Sequence, residues 1–314
     1  MEYRELGSTG IKVSRLAFGS LTLGPLQASL SLEAGVNLLL EAVDRGINFV
    51  DTADSYCNYE YIRQVLKRKP DLIVASKSYD YTYEGMRATL EKALRQIGRD
   101  YIDIFLLHEQ ESKLTIEGHW PALRFLLDAK RSGKVRAVGI STHSVAAAQA
   151  AATVAEIDVI HPLVNKLGIG IIGGSLEAMK MAIDLAHQNG KGIYAMKALA
   201  GGHLLGEARD ALHFVFSIPS IDSVAVGMQS TDELEFNLAC VEGREVPIQI
   251  QERLNRQARR IYIEPWCTGC GACVARCHYS ALQIRGGKAQ VEPQRCILCS
   301  YCAGVCRDFC IKIL

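Results

Sequence analysis

The sequence predicts an α/β fold: a closed (β/α)8 barrel of the TIM type, with a small cysteine-rich unit behind it. Three observations predict it. Short apolar runs alternate with longer amphipathic stretches eight times up to about residue 240. Each run and the stretch after it carry the periodicities of a strand and then a helix. The pattern then gives way to a tail holding nine of the chain's 11 cysteines. Successive strand–helix units pair in parallel through right-handed crossovers. Eight of them in roughly 250 residues suit a closed barrel. A doubly wound open sheet is the alternative, and eight near-regular units in succession favour the barrel.

The opening stretch MEYRELGSTGIKVSR reads as a hairpin turning at Ser8-Thr9-Gly10, placed to cover the barrel floor. Strands follow at 15–20, 47–52, 72–77, 102–108, 136–141, 159–165, 192–197 and 223–228. Helices are expected at 33–45, 59–68, 83–97, 118–132, 144–155, 175–189, 207–217 and 231–241. Residues 242–265 contain Pro247, the polar helix-like run QIQERLNRQARR and Pro265. The periodicity changes there, so the domain boundary is expected near residue 257, with a barrel over 1–257 and a second unit over 258–314.

Hydrophobic residues make up 49% of the 314 and charged residues 22%, enough for a sizeable core. A formal net charge of +1, with Lys and Arg spread along the chain, argues against nucleic acid or an acidic membrane as the main partner. No apolar run reaches the ~18–20 residues of a membrane span, and the N-terminus lacks an apolar signal core. A soluble, cytoplasmic protein is expected. Cysteines clustered at the end of a long chain favour metal ligation in a reducing compartment over disulfides.

Within the tail, Cys267-x2-Cys270-x2-Cys273-x3-Cys277 is repeated as Cys296-x2-Cys299-x2-Cys302-x3-Cys306. Three cysteines at two-residue gaps suit three corners of a [4Fe–4S] cube, and the fourth reaches across to the other cube. On that logic one cluster takes Cys267, Cys270, Cys273 and Cys306, and the other takes Cys296, Cys299, Cys302 and Cys277. Structural zinc usually uses two separated C-x2-C pairs without a third cysteine at the same spacing, which favours iron–sulfur. Cys310 has no role in this scheme and reads as a buried spare thiol. The tail, about fifty residues, resembles a bacterial two-cluster ferredoxin, implying a small α+β iron–sulfur domain. It departs from that pattern at His278 and Arg307, where proline commonly follows the last cysteine.

Several predicted barrel strands end in a chemically capable residue: Asp51, Lys77, His108, Ser141, Asn165 and Lys197. Active sites of (β/α)8 barrels gather at that end of the strands. The stretches YRELGSTGIKVSRLAFG, GINFVDTADSY, ASK and IDIFLLH occur in the order and spacing of the aldo-keto reductase family, which residues 2–240 resemble. The resemblance implies a catalytic tetrad of Asp51, Tyr56, Lys77 and His108. Tyr56 would be the general acid and base, its proton made easier to release by the Lys77 ammonium. Asp51 would hold Lys77, and His108 would orient the carbonyl.

The resemblance also implies an extended NADPH or NADH across the barrel mouth. Ser141 and Asn165 would hold the carboxamide, and Lys197 to Leu205 would follow the pyrophosphate. Gly227, Gln229, Ser230 and Asn237 would surround the adenosine. Two features depart from the family. The basic residues that meet the 2′-phosphate of NADP are missing near Gly227 and Glu233, and Met196 stands where a ring stacks on the nicotinamide. His119, Trp120, His143 and Trp266 are further candidates for the opening. The leading expectation is an iron–sulfur aldo-keto reductase-like enzyme acting on a carbonyl or alcohol, its clusters exchanging electrons with a redox protein. The rival is an electron-transfer protein or ferredoxin-dependent reductase whose barrel uses no nicotinamide.

Overall fold

The structure, a computed structural model, describes residues 1–314 except 258, 297, 300 and 314. Strands β1 (Tyr3–Glu5) and β2 (Lys12–Ser14) form an antiparallel hairpin, Tyr3 opposite Ser14. The turn is closed by Leu6 N–H to the Ile11 carbonyl at 2.8 Å, which agrees with the predicted turn. Then come β3 (Leu16–Gly19), β4 (Phe49–Asp51), β5 (Ile73–Ser78), β6 (Ile102–Leu107), β7 (Val135–Thr142), β8 (Val159–Pro162), β9 (Gly192–Met196) and β10 (Ser223–Gly227). They close into a barrel in chain order, every pair parallel, with β10 returning to β3 through Val224 opposite Leu16.

The outer layer holds α1 (Leu32–Asp44), α2 (Tyr59–Leu66), α3 (Tyr83–Ile97), α4 (Lys113–Gly118), α5 (Trp120–Arg131), α6 (Val145–Thr153), α7 (Leu176–Gln188), α8 (Ala208–Phe216) and α9 (Thr231–Val241). The helix expected over 118–132 is preceded by the extra helix α4. Ser112 caps α4 by accepting the Thr115 N–H, and the chain restarts as α5 with Pro121 in its first turn. Trp120, a candidate for the opening, is partly buried and packs against the apolar layer between barrel and helices.

Two apolar layers follow from strand periodicity. Outward residues such as Phe18, Val50, Val74 and Phe105 meet the helices. Inward residues Ala17, Phe49, Ala75, Leu106, Val159 and Tyr194 fill the barrel, and hairpin residues Leu6, Ile11 and Val13 close its floor. The hairpin therefore acts as a plug.

Helix α10 (Ile248–Asn255) packs on α9. The expected boundary between residues 257 and 258 touches residue 258, which lies outside the described residues. Beyond it, β11 (Ile261–Ile263) pairs antiparallel with β14 (Ile311–Ile313), and β12 (Leu282–Arg285) pairs with β13 (Lys288–Val291). The short helix α11 (Ala272–Arg276) lies within the first cysteine motif. Ile261, Leu282, Ala289, Ile311, Ile313 and two cysteines form a small core of their own.

Candidate functional site

Strand periodicity carries the barrel core directly into the site. Asp51 lies two residues beyond Phe49, Lys77 two beyond Ala75, His108 two beyond Leu106, Ser141 two beyond Gly139, and His161 two beyond Val159. Each therefore points inward one layer above the core, at the C-terminal mouth of the barrel. Lys77 Nζ donates to both Asp51 oxygens at 2.8 and 2.9 Å and to the Thr52 carbonyl at 2.6 Å. That uses all three ammonium donors. Asp51 also accepts the Tyr194 hydroxyl at 3.0 Å, and His161 Nε2 lies 3.7 Å from it. The His161 ring stacks on Tyr194 at 3.8 Å.

Tyr56 stands over this ion pair, half-buried, with Lys77 Nζ 5.0 Å from its ring centre. Among the described residues no group hydrogen-bonds its hydroxyl, which leaves that O–H available to a ligand. The Tyr56 ring meets His108 edge-on at 6.1 Å, and Tyr79 stacks on the other side of His108 at 4.2 Å. The His108 Nδ1 atom is buried without a partner.

Burial pushes the Tyr56 phenol well above its ordinary range, and the carboxylates of Asp51, Glu109 and Glu264 add to the effect. This corrects the expected acidification by Lys77. The ammonium is spent on Asp51 and does not touch the phenolic oxygen, so Tyr56 remains a neutral proton donor at physiological pH. Burial, and then the Lys77 and Lys197 charges, hold His108 well below its usual range, as a neutral imidazole. His161 is lowered by burial to about 4 although Asp51 opposes the shift. Sequence reading missed His161 and Tyr194. Their signal was their inward register on β8 and β9.

The residues expected around a dinucleotide are mostly engaged with the protein. Ser141 Oγ accepts the Glu109 N–H at 2.8 Å. The Asn165 amide donates to the Ile169 carbonyl at 2.9 Å and accepts the N–H groups of Ile169 and Leu167 at 3.0 and 3.3 Å, so it holds its own loop together. Lys197 donates to His143 Nε2 at 2.7 Å and lies 4.5 Å above the Phe309 ring. The segment from Lys197 to Leu205 is covered by β14. His203 Nε2 donates to the Ile311 carbonyl at 2.9 Å, and a Cβ placed on Gly202 would lie 2.0 Å from the Ile313 oxygen.

On the adenosine side, Gly227 ends β10 against Thr22. Ser230 caps α9 by accepting the Glu233 N–H at 3.2 Å, and Asn237 is buried on that helix. The Glu233 carboxylate itself accepts the Gln229 N–H at 2.7 Å. An acidic group thus occupies an amide at the place expected for the 2′-phosphate.

In the C-terminal unit, one cavity of about 370 Å³, open to solvent, is lined by Cys277, Cys296, Cys299 and Cys302. Another of about 330 Å³ is lined by Cys267, Cys270, Cys273, Cys306 and Cys310. The two halves repeat each other locally. Ala281 N–H donates to Cys277 Sγ at 3.3 Å, and Cys310 N–H donates to Cys306 Sγ at 3.2 Å. Cys310 therefore stands where the other half has Ala281, both buried. Trp266 lies half-exposed in this unit, donating to the Asp308 carbonyl at 3.1 Å. Among the described residues no three His, Cys, Asp or Glu side chains converge on a point as ligands of a single metal ion do.

A closed parallel barrel carrying a buried carboxylate–ammonium pair, a free phenol and a neutral imidazole at its mouth belongs to an α/β-barrel oxidoreductase. The chain is a member of the aldo/keto reductase family, which its residues 15–217 match. It is 26% identical over 298 residues to the L-galactose dehydrogenase of Arabidopsis thaliana, spanning 81% of this chain and 92% of that one. It is 32% identical over 161 residues to a 6-dehydroglucose reductase of Novosphingobium aromaticivorans, 44% of this chain and 51% of that one. The solved aldo-keto reductase AKR11C1 of Bacillus halodurans shares the fold, with a TM-score of 0.67 at 22% identity over 82% of this chain and 96% of that one. The family match ends before the cysteine-rich unit. Among the described residues no helix is long and apolar enough to cross a membrane.

Proposed function

We propose that this oxidoreductase interconverts a carbonyl and an alcohol at Tyr56 and carries two [4Fe–4S] clusters in a ferredoxin-like unit over about 258–314. Reduction of a carbonyl takes up two electrons and two protons, and the developing oxyanion must be met by a donor. The Tyr56 hydroxyl serves as that donor, unspent on the protein and kept protonated by its surroundings. His108 offers a neutral ring beside it to orient the carbonyl. Asp51 and Lys77 hold the mouth in shape and fix the field around Tyr56.

The observation that carries the cluster half of the reading is the lining of the two cavities. Each is lined by four motif cysteines in the crossed combination that the repeat implies, three from one motif and the last from the other, with Cys310 also lining the second. Backbone N–H groups donate to Cys277, Cys306 and Cys267 sulfurs, as thiolates held around a cluster require. A cube spreads its ligands over four iron corners, which suits rings of cysteine better than ligands converging on one ion. Bound there, such clusters supply electrons singly, drawn from a low-potential redox protein.

A second reading keeps NADPH or NADH as the hydride source for the same tetrad. Membership of a family that generally uses NAD(P)H favours it. The covered loop after Lys197 and the Glu233 carboxylate disfavour it. An anaerobic assay of a carbonyl panel, with reduced viologen, NADH or NADPH as alternative donors, separates the two. Viologen-driven reduction that is lost in Tyr56→Phe supports the first reading, and reduction only with a nicotinamide supports the second. Activity retained in Tyr56→Phe with every donor removes Tyr56 from its role.

A further inference from the structure

Three observations converge on the junction between the C-terminal unit and the barrel mouth. The first is β14, which lies on the loop that a dinucleotide pyrophosphate would follow, with Lys312 and Ile313 against Gly201 and Gly202. The second is Phe309, almost fully buried. Its ring lies 4.5 Å from Lys197 Nζ and 5.7 Å from the His143 ring, and it packs so closely on Gly170 that a Cβ there would come within 2.3 Å. The third is the internal repeat. Phe309 stands where the other half has Ser280; both have left-handed backbone, φ of 49° and 48°, but Ser280 is exposed. The turn beside the cysteine needs no aromatic ring at this position. What distinguishes Phe309 is its contact with the barrel mouth.

We infer that the C-terminal strand takes the place of a dinucleotide, and that Phe309 and Cys310 link the near cysteine ring to the barrel mouth as an electron path. This rests on the reading that the cysteines hold clusters. The path's contacts run from Cys306 to His143 and Lys197. Cys310 N–H donates to Cys306 Sγ at 3.2 Å, Phe309 N–H to the Cys306 carbonyl at 3.2 Å, and the Phe309 ring then touches His143 and Lys197. Electrons arriving singly need an acceptor that is stable holding one electron. The substrate class is therefore a conjugated carbonyl, a quinone above all, rather than an isolated ketone. Held by the two sets of four motif cysteines, two reduced clusters would supply one electron each per chain. The quinone gains both, takes one proton from the Tyr56 hydroxyl and one from water, and leaves as the hydroquinone; water then reprotonates Tyr56.

The test uses the full-length chain, reconstituted anaerobically, reduced with dithionite and freed of excess reductant. Mixed with a naphthoquinone sulfonate, it should reoxidise both clusters with one quinone consumed per chain. Phe309→Leu should slow that reoxidation about tenfold or more at unchanged iron and sulfide content, and Phe309→Tyr should restore it. Calorimetry with NADH and NADPH up to ~1 mM should show no saturable binding. Reoxidation of Phe309→Leu at the wild-type rate overturns the path, and micromolar binding of either nucleotide overturns the replacement of the dinucleotide. A chain that takes up no iron overturns the cluster reading and the path with it. The nucleotide titration still decides the replacement in that case.

Discussion

At the scale of single residues, the site is built on one buried ion pair. Removing one partner of such a pair strands the other without compensation, which costs about 3–5 kcal/mol. Lys77→Met should lower stability by about that much in denaturant unfolding, whereas Tyr56→Phe should leave stability close to wild type. Tyr56→Phe should instead reduce turnover about 10²–10⁴-fold, the usual contribution of a positioned proton donor. His161 adds a pH signature. Its folded pKa, about 4, lies below the ordinary 6.5, so the unfolded chain binds the extra proton between those values. Stability from this group is complete above about 6.5 and is lost as pH falls toward 4, by about 3 kcal/mol in all. Thermal melts across that range should show the loss, and His161→Gln should flatten it. Asp51, Lys77 and His108 were legible as predicted strand ends, but Tyr56 lies in the short turn Asp54–Tyr56 after β4, and only the family resemblance grouped the four. The state of Tyr56 was not legible, since it depends on where the Lys77 donors go, and Thr52 and Asp51 claim them.

At the scale of elements, alternation and length made the barrel readable, with bounds within a few residues for most strands. The break between α4 and α5 was hidden because apolar spacing continues through His119. What sequence could not carry was the seating of β14 on the loop after β9. That contact joins residues about a hundred positions apart and leaves no local pattern beyond three small residues, Ala200, Gly201 and Gly202. It is nonetheless tightly constrained: Gly202 has φ of 94° and no room for a side chain. Gly202→Ala should cost about 1–3 kcal/mol and loosen β14, visible as faster hydrogen exchange over residues 309–313. If exchange there is unchanged, β14 is not held by this loop.

At the scale of the whole molecule, a barrel with a phenol at its mouth is joined to a unit whose two cavities are lined by cysteines. The join lies at the mouth and not along a remote face. The crossed use of Cys277 and Cys306 makes the two cysteine rings interdependent, so neither half of the C-terminal unit is complete without the other. Cys277→Ser should therefore remove about half of the bound iron while the ring of Cys267, Cys270, Cys273 and Cys306 keeps its share. The repeat was legible from spacing alone, and the crossed grouping expected from it agrees with the cysteines lining the two cavities. The role of Cys310 as the counterpart of Ala281 needed the hydrogen bonds around it. The most direct measurement is the iron and acid-labile sulfide content of the anaerobically reconstituted full-length chain, with its electron paramagnetic resonance spectrum after reduction. Two [4Fe–4S] clusters would give about eight of each per chain and a spectrum of two interacting reduced clusters. A chain that binds zinc in their place, or that takes up no iron, would contradict the cluster reading.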